Sequence, residues 1–204
     1  MNRMLTYYHH AHQVLERIRV ADGLAPLLLR LYLAPVLMQA GWNKLSHFSD
    51  TAAWFGNPDW GLGLPMPEVM AGLAAGTEFF GGILLILGFA VRWISLPLMF
   101  TMLVAALTVH WENGWLAIAD SSSWLANDRV MEAADRLQRA REILQEHGNY
   151  DWLTGRGSIV ILNNGIEFAA TYFVMLLSLF FTGAGRYVSL DFYIARHFLP
   201  AQKV

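Results

Sequence analysis

Apolar residues gather along this chain in four long blocks, at about 25–44, 67–90, 93–111 and 159–182, separated by polar stretches. A bilayer core of about 30 Å is crossed by a helix of roughly 20 mostly apolar residues. Each block meets or approaches that length, so four transmembrane helices are expected. The first is the least apolar, because Pro26, Arg30, Pro35 and Gln39 interrupt it. Residues 112–157, ahead of the fourth block, follow a different pattern. In NDRVMEAADRLQRAREILQEHG, Val130, Ala134, Leu137, Arg141 and Leu144 repeat at helical spacing and make a narrow apolar stripe. Asn127 or Asp128 can cap the start and Gly148 follows the end. Glu132 with Arg136, and Asp135 with Arg139, stand as i,i+4 pairs. The pattern predicts an all-α integral membrane four-helix bundle, a single domain over 1–204. An extra amphipathic helix in the third loop would lie over the bundle or contact a partner.

Composition agrees with a lipid environment: 55% of residues are hydrophobic and only 15% are charged. The net charge of -2, with no Lys/Arg cluster, points away from nucleic acid. The absence of cysteine excludes disulfides and thiolate metal sites from this polypeptide. The first 24 residues hold Arg3, Arg17, Arg19 and three histidines without an apolar run or a small-residue cleavage site, so the first apolar helix is expected to remain as an anchor.

An even number of spans puts both termini on one side. That side collects Arg3, Arg17, Arg19, Arg92, Arg186, Arg196 and Lys203 against Glu16, Asp22 and Asp191. The opposite side collects Lys44 and five arginines of the long loop against eleven acids. Basic residues favour the cytoplasm, so both termini are expected there. Trp42, Trp54, Trp60, Trp111, Trp115, Trp124 and Trp152 then fall at or beyond the outer helix ends, where they either sit at headgroup level or pack in a cap of loops.

Ionisable groups inside spans are costly and are seldom retained without a partner. Three stand here: Arg30, Glu78 and Glu167. Glu78 shares a face with Ala71, Ala74, Ala75, Gly81 and Gly82, small residues that let another backbone approach. Glu167 continues a polar stripe through Asn163, Thr171 and Ser178. Helical side chains lean toward their own N-terminus, which aims Glu78 and Glu167 outward and Lys44 inward. A polar chamber lined by Lys44, Glu78, Asn163, Asn164 and Glu167 is therefore expected in the outer half. One reading is that one carboxylate is protonated and the other pairs with Lys44 or Arg30, merely fixing register; the other is a ligand, proton or quinol site. Arg30 leans the opposite way and could snorkel to phosphate or meet Asp191. His9, His10 and His12 form only a weak metal signal on a terminal tail, and no metal site is assigned. His110, Trp111 and Glu112 read as a structural interfacial cluster, and the dispersed methionines as filler.

Three strings, LLLRLYLAPVLMQAGWNKL at 27–45, GTEFFGGILLILGFAVR at 76–92 and GAGRYVSLD at 183–191, together resemble the DoxX family. They are similar to its arginine helix ending in Gly-x-x-Lys, its Glu-x-x-Gly-Gly helix with a following arginine, and its closing Gly-x-Gly-Arg to Ser-Leu-Asp element. Ala34 and Pro35 stand where that first helix commonly carries glycine, and the insert at 112–157 is longer than in minimal members. The resemblance implies a bacterial inner-membrane protein of four helices, often a membrane subunit of oxidoreductase systems. It carries the family's polar residues onto Arg30, Lys44, Glu78, Arg92, Arg186 and Asp191.

On this basis the expected function is a membrane subunit of a redox system that binds a quinone-like or small lipophilic ligand. Glu78, Glu167 and Lys44 would serve its chemistry, and Arg30, Asn163 and Asn164 would bind the ligand. No haem, flavin or iron–sulfur motif is present, so electrons would come from a partner, expected on the outer, periplasmic side. Two alternatives stay open: a transport or export component linked to metal stress or modified peptides, and a membrane scaffold or assembly factor.

Overall fold

In a computed structural model of the chain, residues 19–198 are described without a break, together with Leu5, residues 7–10, 12 and 13, and Glu16. Arg3, Arg17 and Lys203, counted above toward the charge of the terminal side, lie outside them. The described residues form helices joined by loops, with one isolated bridge between Ile118 and Leu162 and no strand among them. The chain divides into two compact units, residues 1–101 with 174–204, and residues 102–173.

In the first unit, α1 (Leu24–Ser46), the short α2 (Phe48–Gly56) and α3 (Pro67–Leu87) follow in sequence. Helix α4 begins at Val91 and runs to Val104. The buried residues of α1, from Pro26 and Arg30 through Leu33, Ala34 and Leu37 to Gly41, make one helical stripe. That stripe packs along the buried face of α3, formed by Ala71, Ala75, Glu78, Gly81, Gly82 and Leu85. The small side chains permit close contact: a Cβ added at Gly41 would stand 2.5 Å from the backbone nitrogen of Phe79 and 2.7 Å from the Ala75 carbonyl. At Gly82 the added atom would stand 2.8 Å from the Ala34 carbonyl. Lipid tails give helices no hydrophobic reason to associate, so such contact supplies the packing energy itself. Gly41→Val is therefore expected to cost about 1–3 kcal/mol, read as a lower unfolding midpoint in detergent. An unchanged midpoint would show that the crossing is looser than described.

The opposite faces expose Leu28, Leu31 and Tyr32 on α1, Leu73 and Phe80 on α3, and Leu96 and Phe100 on α4. Large apolar groups facing outward along whole helices are the pattern of lipid contact. Three helical stretches are long and apolar enough to cross a membrane: Arg19–Ser46, Pro67–Leu87 and Val91–Asn113. The chain is an all-α membrane protein.

In the second unit, α4 passes into a π-helical turn at Ala105–His110 and a 3-10 turn at Trp111–Asn113. Helix α5 (Asp128–His147) forms where its stripe requires. Asn127 caps it by accepting from the Val130 N–H at 3.1 Å, Gly148 follows its end, and Val130 is buried. Ala134, Leu137, Arg141 and Leu144 are half-buried, and Arg141 Nη2 donates to the Ile159 carbonyl at 2.9 Å. The Glu132–Arg136 pair is present at 3.0 Å, whereas Arg139 turns to Glu142 rather than Asp135. All four side chains are solvated, so the exchange of partners costs little. Asn127→Ala is expected to lower the stability of α5 by about 1 kcal/mol, measurable as faster amide exchange over its first turn. Before it, Ser122 donates to Asp120 through its hydroxyl and its N–H and holds that carboxyl below the usual carboxylate range. The short α6 (Tyr150–Thr154) follows.

The fourth apolar block departs from expectation. Helix α7 covers Glu167–Thr182, not 159–182, and at 16 residues is shorter than the three spanning stretches. The reason is the backbone bonding of 163–167. The N–H groups of Asn163 and Asn164 go to the Ala117 carbonyl, and those of Gly165, Ile166 and Glu167 go to Leu116, Gly114 and Trp115. With Asn164 in the left-handed conformation (φ 59°), these residues cross-link to the 114–117 segment and are unavailable to a helix ladder.

Candidate functional site

Lys44 lies in the last turn of α1 and Glu78 in the middle of α3. The same stripe that packs Gly41 against Ala75 and Phe79 brings them together, three residues along α1 from the glycine and three along α3 from Ala75. Lys44 Nζ donates to Glu78 Oε2 at 2.5 Å. The glutamate side chain is 8% exposed and the lysine 28%, so the carboxylate is enclosed while the ammonium reaches an accessible edge. A buried charge pair stands only when geometry and hydrogen bonding offset the loss of water. Here the interacting groups sit beside backbone contacts too close for any side chain.

At the other end of α1, Arg30 is fully buried. Its Nη1 donates to the carbonyls of Leu85 (3.3 Å) and Val188 (3.1 Å), and its Nη2 to those of Tyr187 (2.8 Å) and Val188 (3.1 Å). Nε has no partner among the described residues. Arg30 thus holds the last turn of α3 to the segment before α8 (Leu190–Phe198). Gly88 makes room: it ends α3 at φ 61°, and an added Cβ would collide with the guanidinium. Asp191 completes the clasp by accepting from the N–H groups of Ala90 (2.7 Å) and Val91 (3.0 Å), where α4 begins. Arg92 donates to the Phe181 carbonyl near the end of α7, and Arg186 pairs with Asp22 at 2.5 Å. Cations on C-terminal carbonyls and a carboxylate on an N-terminus satisfy groups that helix ends leave free. In this end of the first unit Arg30, Arg92 and Asp191 bind the protein's own backbone, and Arg186 binds both the Asp22 carboxylate and the Arg19 carbonyl.

Glu167, Asn163 and Asn164 belong to the second unit. Glu167 Oε2 accepts from the Ala117 N–H at 2.9 Å. Asn163, 2% exposed, donates through Nδ2 to the carbonyls of Asn113 (2.8 Å) and Leu116 (2.7 Å) and accepts from Arg129 Nε (3.2 Å). The carbonyl of Asn164 takes bonds from the Asn113 amide and the His110 ring. Of the residues expected to line one chamber, Lys44 and Glu78 meet. Asn163, Asn164 and Glu167 tie the 113–117 segment to the start of α7. The partners missed by sequence reasoning are backbone carbonyls and N–H groups, Arg129 beside Asn163, and Ser189, whose hydroxyl donates to the Gly88 carbonyl and accepts from the Phe192 N–H. The one signal for Ser189 is the Ser-Leu-Asp string at 189–191.

Among the described residues no group of three His, Cys, Asp or Glu side chains is placed to hold a metal. The DoxX family model matches residues 25–111, which supports membership of the chain in that family. The matched stretch contains Arg30, Lys44, Glu78 and Arg92, while the GAGRYVSLD string lies beyond it. No curated protein and no solved structure matches the chain.

Proposed function

For a multi-pass membrane protein carrying the DoxX pattern, we propose the role of a membrane subunit of a redox system, with a quinone-like ligand bound at the Lys44–Glu78 pair. The observation behind this reading is the pair itself, an ammonium and a carboxylate in hydrogen-bond contact on spanning helices. Intramembrane ionisable pairs mark ligand or proton pathways more often than packing. Among the described residues one carboxylate oxygen is engaged, by one of the three N–H groups of Lys44. Lys44 would donate to a quinone carbonyl. On reduction of a quinone to the quinol, two electrons come from a partner protein and two protons are taken up. Glu78 relays one of these from water to the reduced ring oxygen and the second comes from water directly. Arg30, at the other end of α1, is proposed to hold α3 and the segment before α8 together within the same unit.

The DoxX resemblance supports a bacterial inner-membrane location, and the excess of Lys/Arg on the terminal side supports both termini being cytoplasmic. The loop 112–157, with its solvated helix α5, would then be the periplasmic segment to which a protein partner docks. The test is quinone-linked electron flow in membranes carrying the chain with its native partners. Glu78→Gln with Lys44→Met is expected to reduce it at least about tenfold, the loss of roughly 1.4 kcal/mol of binding or transition-state energy. Undiminished flow would overturn the redox reading.

A further inference from the structure

A cleft in the second unit, between the first turns of α5 and the segments at 112–113 and 161–163, encloses about 470 Å³, a volume ordinary for small-molecule sites. We infer that it binds a small zwitterion, a molecule with a carboxylate or phosphate at one end and a primary ammonium at the other.

Four charged side chains line the cleft: Arg129, Arg136, Glu112 and Glu132. Arg136 and Glu132 neutralise one another at 3.0 Å. Arg129 and Glu112 have no ion-pair partner among the described residues. Arg129 is nevertheless set in place. Its Nε donates to Asn163 Oδ1, and Asn163 is buried and anchored by its two amide bonds to backbone carbonyls. The guanidinium is therefore oriented by a single edge, leaving its terminal nitrogens for a planar or tetrahedral anion. Such preorganisation removes part of the entropic cost of binding. Glu112, in the Trp111–Asn113 turn, places the opposite charge on the same cleft. A lone anion would meet repulsion from Glu112 and a lone cation from Arg129, and a zwitterion satisfies both. Two sources offer this chemistry, a free amino acid and the headgroup of an ethanolamine lipid.

The inference is tested with the full chain in detergent by calorimetric titration with L-alanine and with O-phosphoethanolamine, using acetate and ethylamine as single-charge controls. At least one zwitterion is expected to bind, about tenfold or more above the controls, and to weaken about tenfold in both Arg129→Gln and Glu112→Gln, the equivalent of roughly 1.4 kcal/mol. Glu112→Gln breaks no side-chain bond among the described residues, so a folding defect cannot mimic its effect. Alanine binding identifies a soluble ligand. Binding of phosphoethanolamine, with enrichment of phosphatidylethanolamine around the protein in mixed phosphatidylcholine nanodiscs, identifies the lipid headgroup. Equal binding of acetate or ethylamine, absence of binding by either zwitterion, or insensitivity to Glu112→Gln would overturn the proposal.

Discussion

Arg30→Met is expected to destabilise the first unit by on the order of 3 kcal/mol, enough to empty much of the folded population of an ordinary domain. The substitution keeps the length and apolar stem of the side chain, so packing is largely retained. What disappears is the donor set for the carbonyls of Tyr187 and Val188, together with one bond to Leu85. Unmet carbonyls cost about 1–3 kcal/mol each where water cannot replace the donor. Arg30→Lys should recover part of the loss, since an ammonium keeps the charge but cannot spread donors over three carbonyls as the planar fork does. Unfolding in mixed micelles checks the order: wild type, then Arg30→Lys, then Arg30→Met. Equal midpoints for all three would mean that the α3–α8 clasp does not contribute to stability.

The second large effect is a reversal at the ion pair. Lys44→Met alone leaves the enclosed carboxylate of Glu78 without its cation and is expected to cost roughly 3 kcal/mol. Adding Glu78→Leu removes the stranded charge, and the double variant should regain most of that stability, because a hydrophobic pair of similar volume packs at least as well as an ion pair in lipid. The double variant would nevertheless lack the polar groups of the proposed ligand site. Stability restored without restored function separates a chemical role from a packing role. A double variant as unstable as Lys44→Met would show that the two residues do not act on each other.

The parts of the fold that could be read from the sequence were those written in side-chain patterns. Helix α5 has a stripe, a cap residue and a terminating glycine, and all three occur where spacing puts them. The Lys44–Glu78 meeting followed from two facts, the small-residue face of α3 and the lean of helical side chains toward their N-termini. The start of α7 is masked in the sequence because residues 159–162 are apolar enough to resemble a span. The deciding interactions there are backbone N–H groups bonded to carbonyls of 114–117, and those leave little trace in residue identity beyond the Asn-Asn-Gly string. Arg30 was equally opaque. A buried arginine invites a search for a carboxylate, whereas its partners are carbonyls that every residue possesses. Asp191 likewise serves backbone N–H groups at the start of α4.

The most direct test of the Lys44–Glu78 pair as a ligand site is to purify the chain gently from its native membrane, extract it, and quantify quinone per protein in wild type and Glu78→Gln. Retention of a quinone by the wild type and its loss from a folded Glu78→Gln protein is the predicted result. Quinone absent from the wild type, or present equally in both, would contradict the assignment and leave the pair as a packing element between α1 and α3.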